Sequence, residues 1–122
     1  MTWLQVAIGG AIGSVLRFWL AAVIGHRAGA PFWGTLFVNV AGSFLIGLLA
    51  TLRDNGPTEF TRYFFMAGVL GGFTTFSAFS LQTVELFQKG STGPALANIV
   101  LSLALCVLGA WLGGWCGVAC RR

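Results

Sequence analysis

Long apolar stretches, separated by short polar segments, divide the chain into four parts. Each stretch has close to the ~20 mainly apolar residues that cross the hydrocarbon core of a bilayer as an α-helix. The stretches span residues 2–24, 32–52, 63–87 and 95–119, with approximate ends. A transmembrane barrel would show many short alternating strands instead. The pattern therefore predicts an all-α membrane protein with four transmembrane helices, forming a single domain over 1–122.

Composition agrees with a lipid environment. Only 8% of the residues are charged, 57% are hydrophobic, and the mean hydropathy is +0.85. A soluble domain of this size covers its surface with far more charge. The net charge of +4 comes from scattered cations and not from a basic run, which argues against nucleic-acid binding.

The distribution of cations gives only a weak orientation signal. With the amino terminus inside, the inner side holds four arginines, Arg53, Arg62, Arg121 and Arg122, and the outer side holds Arg27 and Lys89. This bias permits one orientation without forcing it. The chain could therefore insert into the membrane in either orientation.

Small residues recur at four-residue spacing inside the apolar stretches. Examples are Gly9 with Gly13, Gly68 with Gly72, and Gly109 with Gly113. This spacing lets helices approach closely in lipid. It predicts a tight bundle but no particular activity, and four helices of this kind are too few to enclose a wide path. We therefore expect an oligomer.

Polar residues follow one face of the second stretch, because Thr35, Asn39 and Ser43 are four residues apart. Polar groups in hydrocarbon are costly and need a partner or a purpose. The stripe either joins helices by hydrogen bonds or forms a track for a hydrated or charged species, and these residues alone leave both open. Asn98 and Ser102 in the fourth stretch raise the same alternatives, with packing slightly favoured.

The third stretch contains the densest signal, GGFTTFSAFS at residues 71–80. Its glycines and β-branched residues weaken helix propensity, which predicts a break near 71–75. Backbone carbonyls freed at such a break can coordinate a cation if protein surrounds them. Past the break, Phe76 and Phe79 share one helical face, and Ser77 and Ser80 share a neighbouring one.

Aromatic rings and hydroxyls together suit a small anion. The edge of a phenyl ring is positive, so a ring presented edge-on favours an anion without a fixed charge that would hold it too tightly. Hydroxyl and amide donors replace the remaining hydration shell. The alternative for Phe76 and Phe79 is ordinary packing, which a chain with 11 phenylalanines favours on composition alone. Arg17 either extends to the headgroups or lines a vestibule that concentrates anions.

Other classes of function receive less support. A proton-coupled exporter of drugs or cations, also built as a small dual-topology protein, normally needs a carboxylate at mid-membrane. The acidic residues here are Asp54, Glu59 and Glu85, in a connector or near a helix end. Ser, His and acidic residues do not converge as a nucleophile and base, so we expect no enzyme. The cysteine spacing also predicts free thiols, without a metal site or disulfide.

Three blocks of the sequence resemble the signature blocks of the bacterial fluoride channel family, known as Fluc or CrcB. They are GGAIGSVLRF at 9–18, GTLFVNVAGSF at 34–44 and GGFTTFSAFS at 71–80, in family order and spacing. The third block is highly specific, and the length and helix layout match over the whole chain. The resemblance implies a passive fluoride-selective channel in the bacterial plasma (inner) membrane, which relieves fluoride toxicity.

The resemblance also implies an assembly and a set of site residues. The assembly is an antiparallel homodimer of dual topology, with two fluoride pores and one central structural sodium ion. The implied pore residues are Phe76, Phe79, Asn39 and Ser77. We also expect Thr35, Ser80 and Ser102 to line the pore, because they lie on polar helix faces. Gly71 and Thr74 would offer backbone carbonyls to sodium, and Arg17 matches the family arginine near the vestibule. For Asn39, Phe76 and Phe79, the resemblance decides between the alternatives in favour of the pore.

The chain departs from the family pattern at two positions. Ala78 stands where threonine is frequent, and Gln82 stands where an acidic residue is frequent. We expect Ala78 to matter little and assign no role to Gln82. Some members of the family are heteromers of two similar chains, and the expectation for this chain is a homodimer.

Overall fold

Four membrane-length helices make up the computed structural model, which describes residues 1–121. These spans are Thr2–Ala28, Pro31–Thr51, Thr61–Gln88 and Thr92–Cys120. The described residues contain no strand. The predicted fold class, an all-α chain with four spanning helices, is confirmed. Hydropathy predicted these four helices correctly because each span is apolar around nearly its whole circumference.

The ends of the spans differ from the predicted bounds where local chemistry extends a helix. The first span continues to Ala28, since His26 and Arg27 in its last turn face the negative end of the helix dipole. It stops at Gly29, whose φ of 78° is in the left-handed region. The fourth span begins at Thr92, and Pro94 is tolerated there because the first turn needs no amide donor.

The third span is interrupted in the middle, as the sequence predicted. Its first half is a wide π-helix over Thr61–Leu70 followed by one α-helical turn, Gly71–Phe73. Thr74 and Thr75 are extended, with ψ angles of 154° and 117°. An α-helix resumes as Phe76–Gln88, which we call the distal helix.

Packing joins the spans in two main pairs. The second span packs along the fourth, and the first span packs along the first half of the third. Glycines permit these contacts: a Cβ on Gly113 would overlap the Phe44 carbonyl, and one on Gly13 would overlap the Val69 carbonyl. The distal helix is held differently, because it packs only against the second and fourth spans.

The outer surface is apolar, as expected for helices in lipid or against another subunit. Trp3, Phe18, Val107 and Trp111 are all more than two-thirds exposed. Ionic contacts lie at the ends of the spans instead, where Arg121 pairs with Asp54 at 3.1 Å. The pair joins the end of the fourth span to the connector after the second, so both lie at one side of the bundle.

Candidate functional site

The interruption of the third span is held open by the side chain of Asn39. Its Nδ2 donates to the Thr75 carbonyl at 3.0 Å, and its Oδ1 accepts from the Thr75 N–H at 2.7 Å. The amide side chain thus takes the place of a neighbouring backbone strand. Unpaired backbone groups are costly away from water, so this pairing makes a non-helical residue tolerable at membrane depth.

Threonine hydroxyls close the two helix ends beside this pair. Thr74 Oγ1 donates back to the Leu70 carbonyl at 3.0 Å and ends the first half of the span. Thr75 Oγ1 accepts from the Ala78 N–H at 3.2 Å and caps the distal helix. Ser77 Oγ lies 3.1 Å from Thr75 Oγ1, within hydrogen-bond distance. The two hydroxyls and the amide together define where the third span stops and resumes.

Arg17 contacts the same interruption from the first span. Its Nε donates to the Gly72 carbonyl at 3.1 Å. In an unbroken helix that carbonyl would accept from the amide of Phe76, four residues later. A charged donor therefore satisfies a carbonyl released by the break, and the negative end of the first half of the span faces a guanidinium. The choice between the two sequence alternatives for Arg17, snorkelling to headgroups or lining a vestibule, stays a prediction.

A crevice of about 390 Å³ opens beside the interruption. Four elements line it: the second span, both halves of the third span, and the fourth span. Its wall consists of Asn39, Gly42, Ser43, Ile46, Leu70, Gly71, Thr74, Thr75, Phe76, Phe79, Ser102, Leu103, Cys106 and Val107. Among these described residues there is no Lys, Arg, His, Asp or Glu, so the polar character of the crevice comes from uncharged groups.

The two phenylalanines form one side of the crevice. Their ring centroids are 5.1 Å apart and the rings are tilted by 48°. Phe76 is 73% exposed, whereas Phe79 is partly covered. The helical spacing of three residues predicted a shared face, and the structure places both rings on the crevice wall. Two rings tilted against each other cannot both lie flat on the same surface, and the edge of a ring is the part that attracts an anion.

The other predicted pore residues divide into two groups. Asn39 and Ser102 lie on the crevice wall. Thr35 is only 4% exposed and does not line the crevice. Ser77 is exposed outside it, and Ser80 Oγ donates to the Phe76 carbonyl of its own helix at 2.9 Å. A pore role stays a prediction for all of these residues, and for Phe76 and Phe79 as well.

A buried hydrogen-bond chain runs behind the crevice. Ser102 Oγ donates to Asn98 Oδ1 at 3.3 Å, and Asn98 Nδ2 donates to Thr83 Oγ1 at 2.9 Å. Thr83 Oγ1 in turn donates to the Phe79 carbonyl at 2.8 Å. The sequence left open whether Asn98 bonds across the bundle, and here it does. Nearby Gln82 has a buried Oε1 without a hydrogen-bond partner among the described residues.

The donor set at the interruption suits a monovalent cation. Because the Thr75 N–H is bonded to Asn39, it is not available to Gly71, its helical partner four residues earlier. The Thr74 carbonyl belongs to extended backbone and has no helical partner either. Gly71 is exposed and Thr74 is half-buried, so both lie where an ion could approach. Hard cations take oxygen ligands of this type, so the residues proposed for sodium fit the ion.

Two residues of the site carried signals that the sequence reasoning missed. Thr75 both caps the distal helix and pairs with Asn39. The sequence feature that could have identified it is a threonine directly before the point where the helical pattern resumes, which is a typical N-cap position. Cys106 lies on the crevice wall, four residues after Ser102 on the same face of the fourth span. The three cysteines have free thiols, as predicted.

These features define a small multi-pass membrane protein in which a broken span borders an uncharged polar crevice. Residues 4–114 match the family model described as CrcB-like protein, Camphor Resistance (CrcB). The chain belongs to this family, as its three signature blocks indicated.

Similar proteins carry a functional name. A protein of Rhodospirillum rubrum, named fluoride-specific ion channel FluC, is 52% identical over 118 residues, which are 93% of this chain and 92% of that one. A protein of Thermus thermophilus with the same name is 49% identical over 118 residues, 92% and 94% of the two chains. One of Methylocella silvestris is 44% identical over 127 positions, 100% and 97% of the two chains. These relatives are ion channels and not enzymes.

Proposed function

We propose that this chain forms a fluoride-selective channel that exports fluoride passively across the bacterial plasma (inner) membrane. The observation that carries the proposal is the crevice in which Asn39, Phe76, Phe79 and Ser102 meet without a fixed charge. The names of the relatives point to the same ion. Passive flow suffices for protection, because fluoride enters cells from an acidic medium as neutral HF and is trapped as the anion in the less acidic interior.

The lining explains how a small anion is held and released. Ring edges of Phe76 and Phe79 supply weak positive potential, and uncharged donors replace lost water. In a medium of low dielectric constant these contacts are stronger than in water, yet weaker than a contact with a buried cation. Conduction needs this intermediate strength, because an ion that binds too tightly does not leave. Because fluoride is the smallest halide, it gains more from close donors than the larger halides do.

The working assembly that we propose is an antiparallel homodimer with two pores. Phe76 and Gly71 are both exposed in the single chain, and a polar crevice facing hydrocarbon would be costly. A second copy of opposite orientation would cover both. The weak cation bias across the membrane supports insertion of the chain in either orientation.

A structural sodium ion belongs to the same proposal. The carbonyl oxygens of Gly71 and Thr74 would hold it, since the break has taken their helical partners away. When bound, the ion supplies positive charge that offsets the free carbonyl dipoles. The protein groups do the positioning: Asn39 fixes the extended segment, and Arg17 occupies the Gly72 carbonyl next to it.

The test is an ion-efflux assay on the purified protein in liposomes, with fluoride and chloride compared by ion-selective electrodes. We expect rapid fluoride efflux and negligible chloride efflux. Phe76→Ile and Phe79→Ile should each reduce fluoride efflux by about tenfold or more, equal to raising the barrier by ~1.4 kcal/mol. Phe87→Ile is the matched control, because Phe87 is on the distal helix but outside the crevice. Equal permeation of the two halides would overturn the proposal, and so would transport that depends on a proton gradient.

A further inference from the structure

The distal helix has unusually few supports for an element that carries both crevice phenylalanines. It contacts only the second and fourth spans, and Phe76, Leu81 and Val84 on it are each more than half exposed. At its amino-terminal end, the Asn39 pair fixes the extended segment. A helix fixed at one end can still swing about that point, so a second support decides where the Phe79 ring lies.

That second support is the buried contact between Asn98 and Thr83. Asn98 is 1% exposed and Thr83 is 7% exposed, so both are shielded within a single chain. Thr83 is eight residues, or ~12 Å along the axis, beyond Thr75. Two hydrogen bonds this far apart, to different neighbouring spans, restrict both the tilt and the rotation of the helix between them. Phe79 lies midway between the two bonded positions.

The direction of the hydrogen bonds links this support to the crevice itself. Thr83 Oγ1 accepts from Asn98 and donates its own proton to the Phe79 carbonyl. Asn98 Oδ1 accepts from the Ser102 hydroxyl, which lines the crevice from the fourth span, whereas Phe79 lines it from the distal helix. These three hydrogen bonds therefore connect two walls of the crevice through the buried side chains of Asn98 and Thr83, which do not line the crevice.

We propose that Asn98 is a positioning residue that, through Thr83, sets the place of the Phe79 ring and the separation of the crevice walls. It acts behind the crevice, because neither Asn98 nor Thr83 is part of the crevice wall. This inference rests on the proposed fluoride conduction for its functional effect. Its structural effect on Phe79 is independent of any transported ion.

The decisive substitutions are Thr83→Val, which removes both bonds at nearly constant volume, and Thr83→Ser, which keeps the hydroxyl. We expect Thr83→Val and Asn98→Leu each to reduce fluoride efflux by about 3- to 15-fold, the range that one interhelical hydrogen bond in lipid represents. Thr83→Ser should restore most of the efflux. The double variant Asn98→Leu/Thr83→Val removes both partners of the Asn98–Thr83 bond, so it should be more stable to heat than Asn98→Leu alone, without regaining efflux.

A matched control is Thr51→Val. Thr51 Oγ1 also donates to the fourth span, to the Gly114 carbonyl at 2.8 Å, but it lies 12 residues, or ~18 Å, from Asn39. It should lower thermal stability slightly and leave fluoride efflux unchanged. A merely structural role for Asn98 predicts the same behaviour for Thr83→Val, and that result would overturn the inference.

The position of Phe79 can be followed directly, apart from transport. With 4-fluorophenylalanine at position 79, ¹⁹F NMR of the parent protein in detergent should give one narrow signal. Thr83→Val should shift or split that signal, and Thr51→Val should not. If the parent conducts no fluoride but Thr83→Val still moves the signal, the proposed function fails and the positioning role stands. An unchanged signal in Thr83→Val refutes the positioning role whatever the flux.

Discussion

Asn39 on the second span and Thr75 in the third span exchange two hydrogen bonds, at 3.0 and 2.7 Å, across a separation of 36 residues. The side chain of one residue thereby completes the backbone pairing of the other. Every other feature of the site depends on this pair, because it fixes the point at which the third span leaves and re-enters the helical conformation.

Asn39→Asp should abolish most fluoride efflux. A carboxylate cannot donate to the Thr75 carbonyl, and it adds negative charge to the crevice. We expect a decrease of about 100-fold, which corresponds to ~2.7 kcal/mol from the lost donor and the added repulsion. Asn55→Asp, the same chemical change in the exposed connector, is the control and should leave efflux unchanged. Efflux of Asn39→Asp equal to that of the parent would contradict the assignment.

Arg17→Met should slow fluoride efflux by an amount that salt does not remove. The guanidinium is bonded to the Gly72 carbonyl, so its loss leaves a half-buried carbonyl without this donor. If Arg17 acted only by attracting anions, the defect would shrink as salt rises, because screening shortens the range of its electric field. Efflux measured at low and high ionic strength separates the two. Arg27→Met, an exposed arginine of the same helix, is the control.

Gly113→Ala should destabilise the bundle. Its added methyl group would overlap the Phe44 carbonyl, which is backbone and cannot turn aside. Overpacking of this kind costs about 1–3 kcal/mol, so we expect a clear fall in the thermal unfolding temperature in detergent. Gly93→Ala tests the same chemistry in the same helix where no atom lies within 4 Å. It should be neutral or slightly stabilising, because alanine favours the helix.

Cys106 should report access to the crevice. In a variant with Cys116→Ser and Cys120→Ser, a small water-soluble thiol reagent should label the one remaining thiol and slow fluoride efflux. The reason is that Cys106 lies on the crevice wall, whereas Cys116 and Cys120 do not. Replacing Cys106 with serine as well should make efflux insensitive to the reagent. Labelling of Cys106 without any change in efflux would place the ion path elsewhere.

Much of the candidate site followed from the sequence because its signals are local. Phe76 and Phe79 share a face by helical spacing alone, and the glycines and threonines of 71–75 weaken a helix wherever they occur. Thr35 is a residue whose surroundings helical spacing did not predict. Spacing placed it on the face of Asn39, yet it is buried at 4% exposure while Asn39 reaches the crevice. Periodicity fixes the angle of a side chain around its helix but not what lies opposite it.

The sequence by itself determined that four apolar helices cross a membrane and that the third is interrupted, because hydropathy and helix propensity act on neighbouring residues. Only the tertiary structure decided which groups close the interruption. The partner of Thr75 is 36 residues away, the partner of Gly72 is 55 residues away, and Thr83 meets Asn98 across two spans. Such pairs form when helices pack, since the free energy that selects them comes from satisfying buried polar groups that no single helix can satisfy alone.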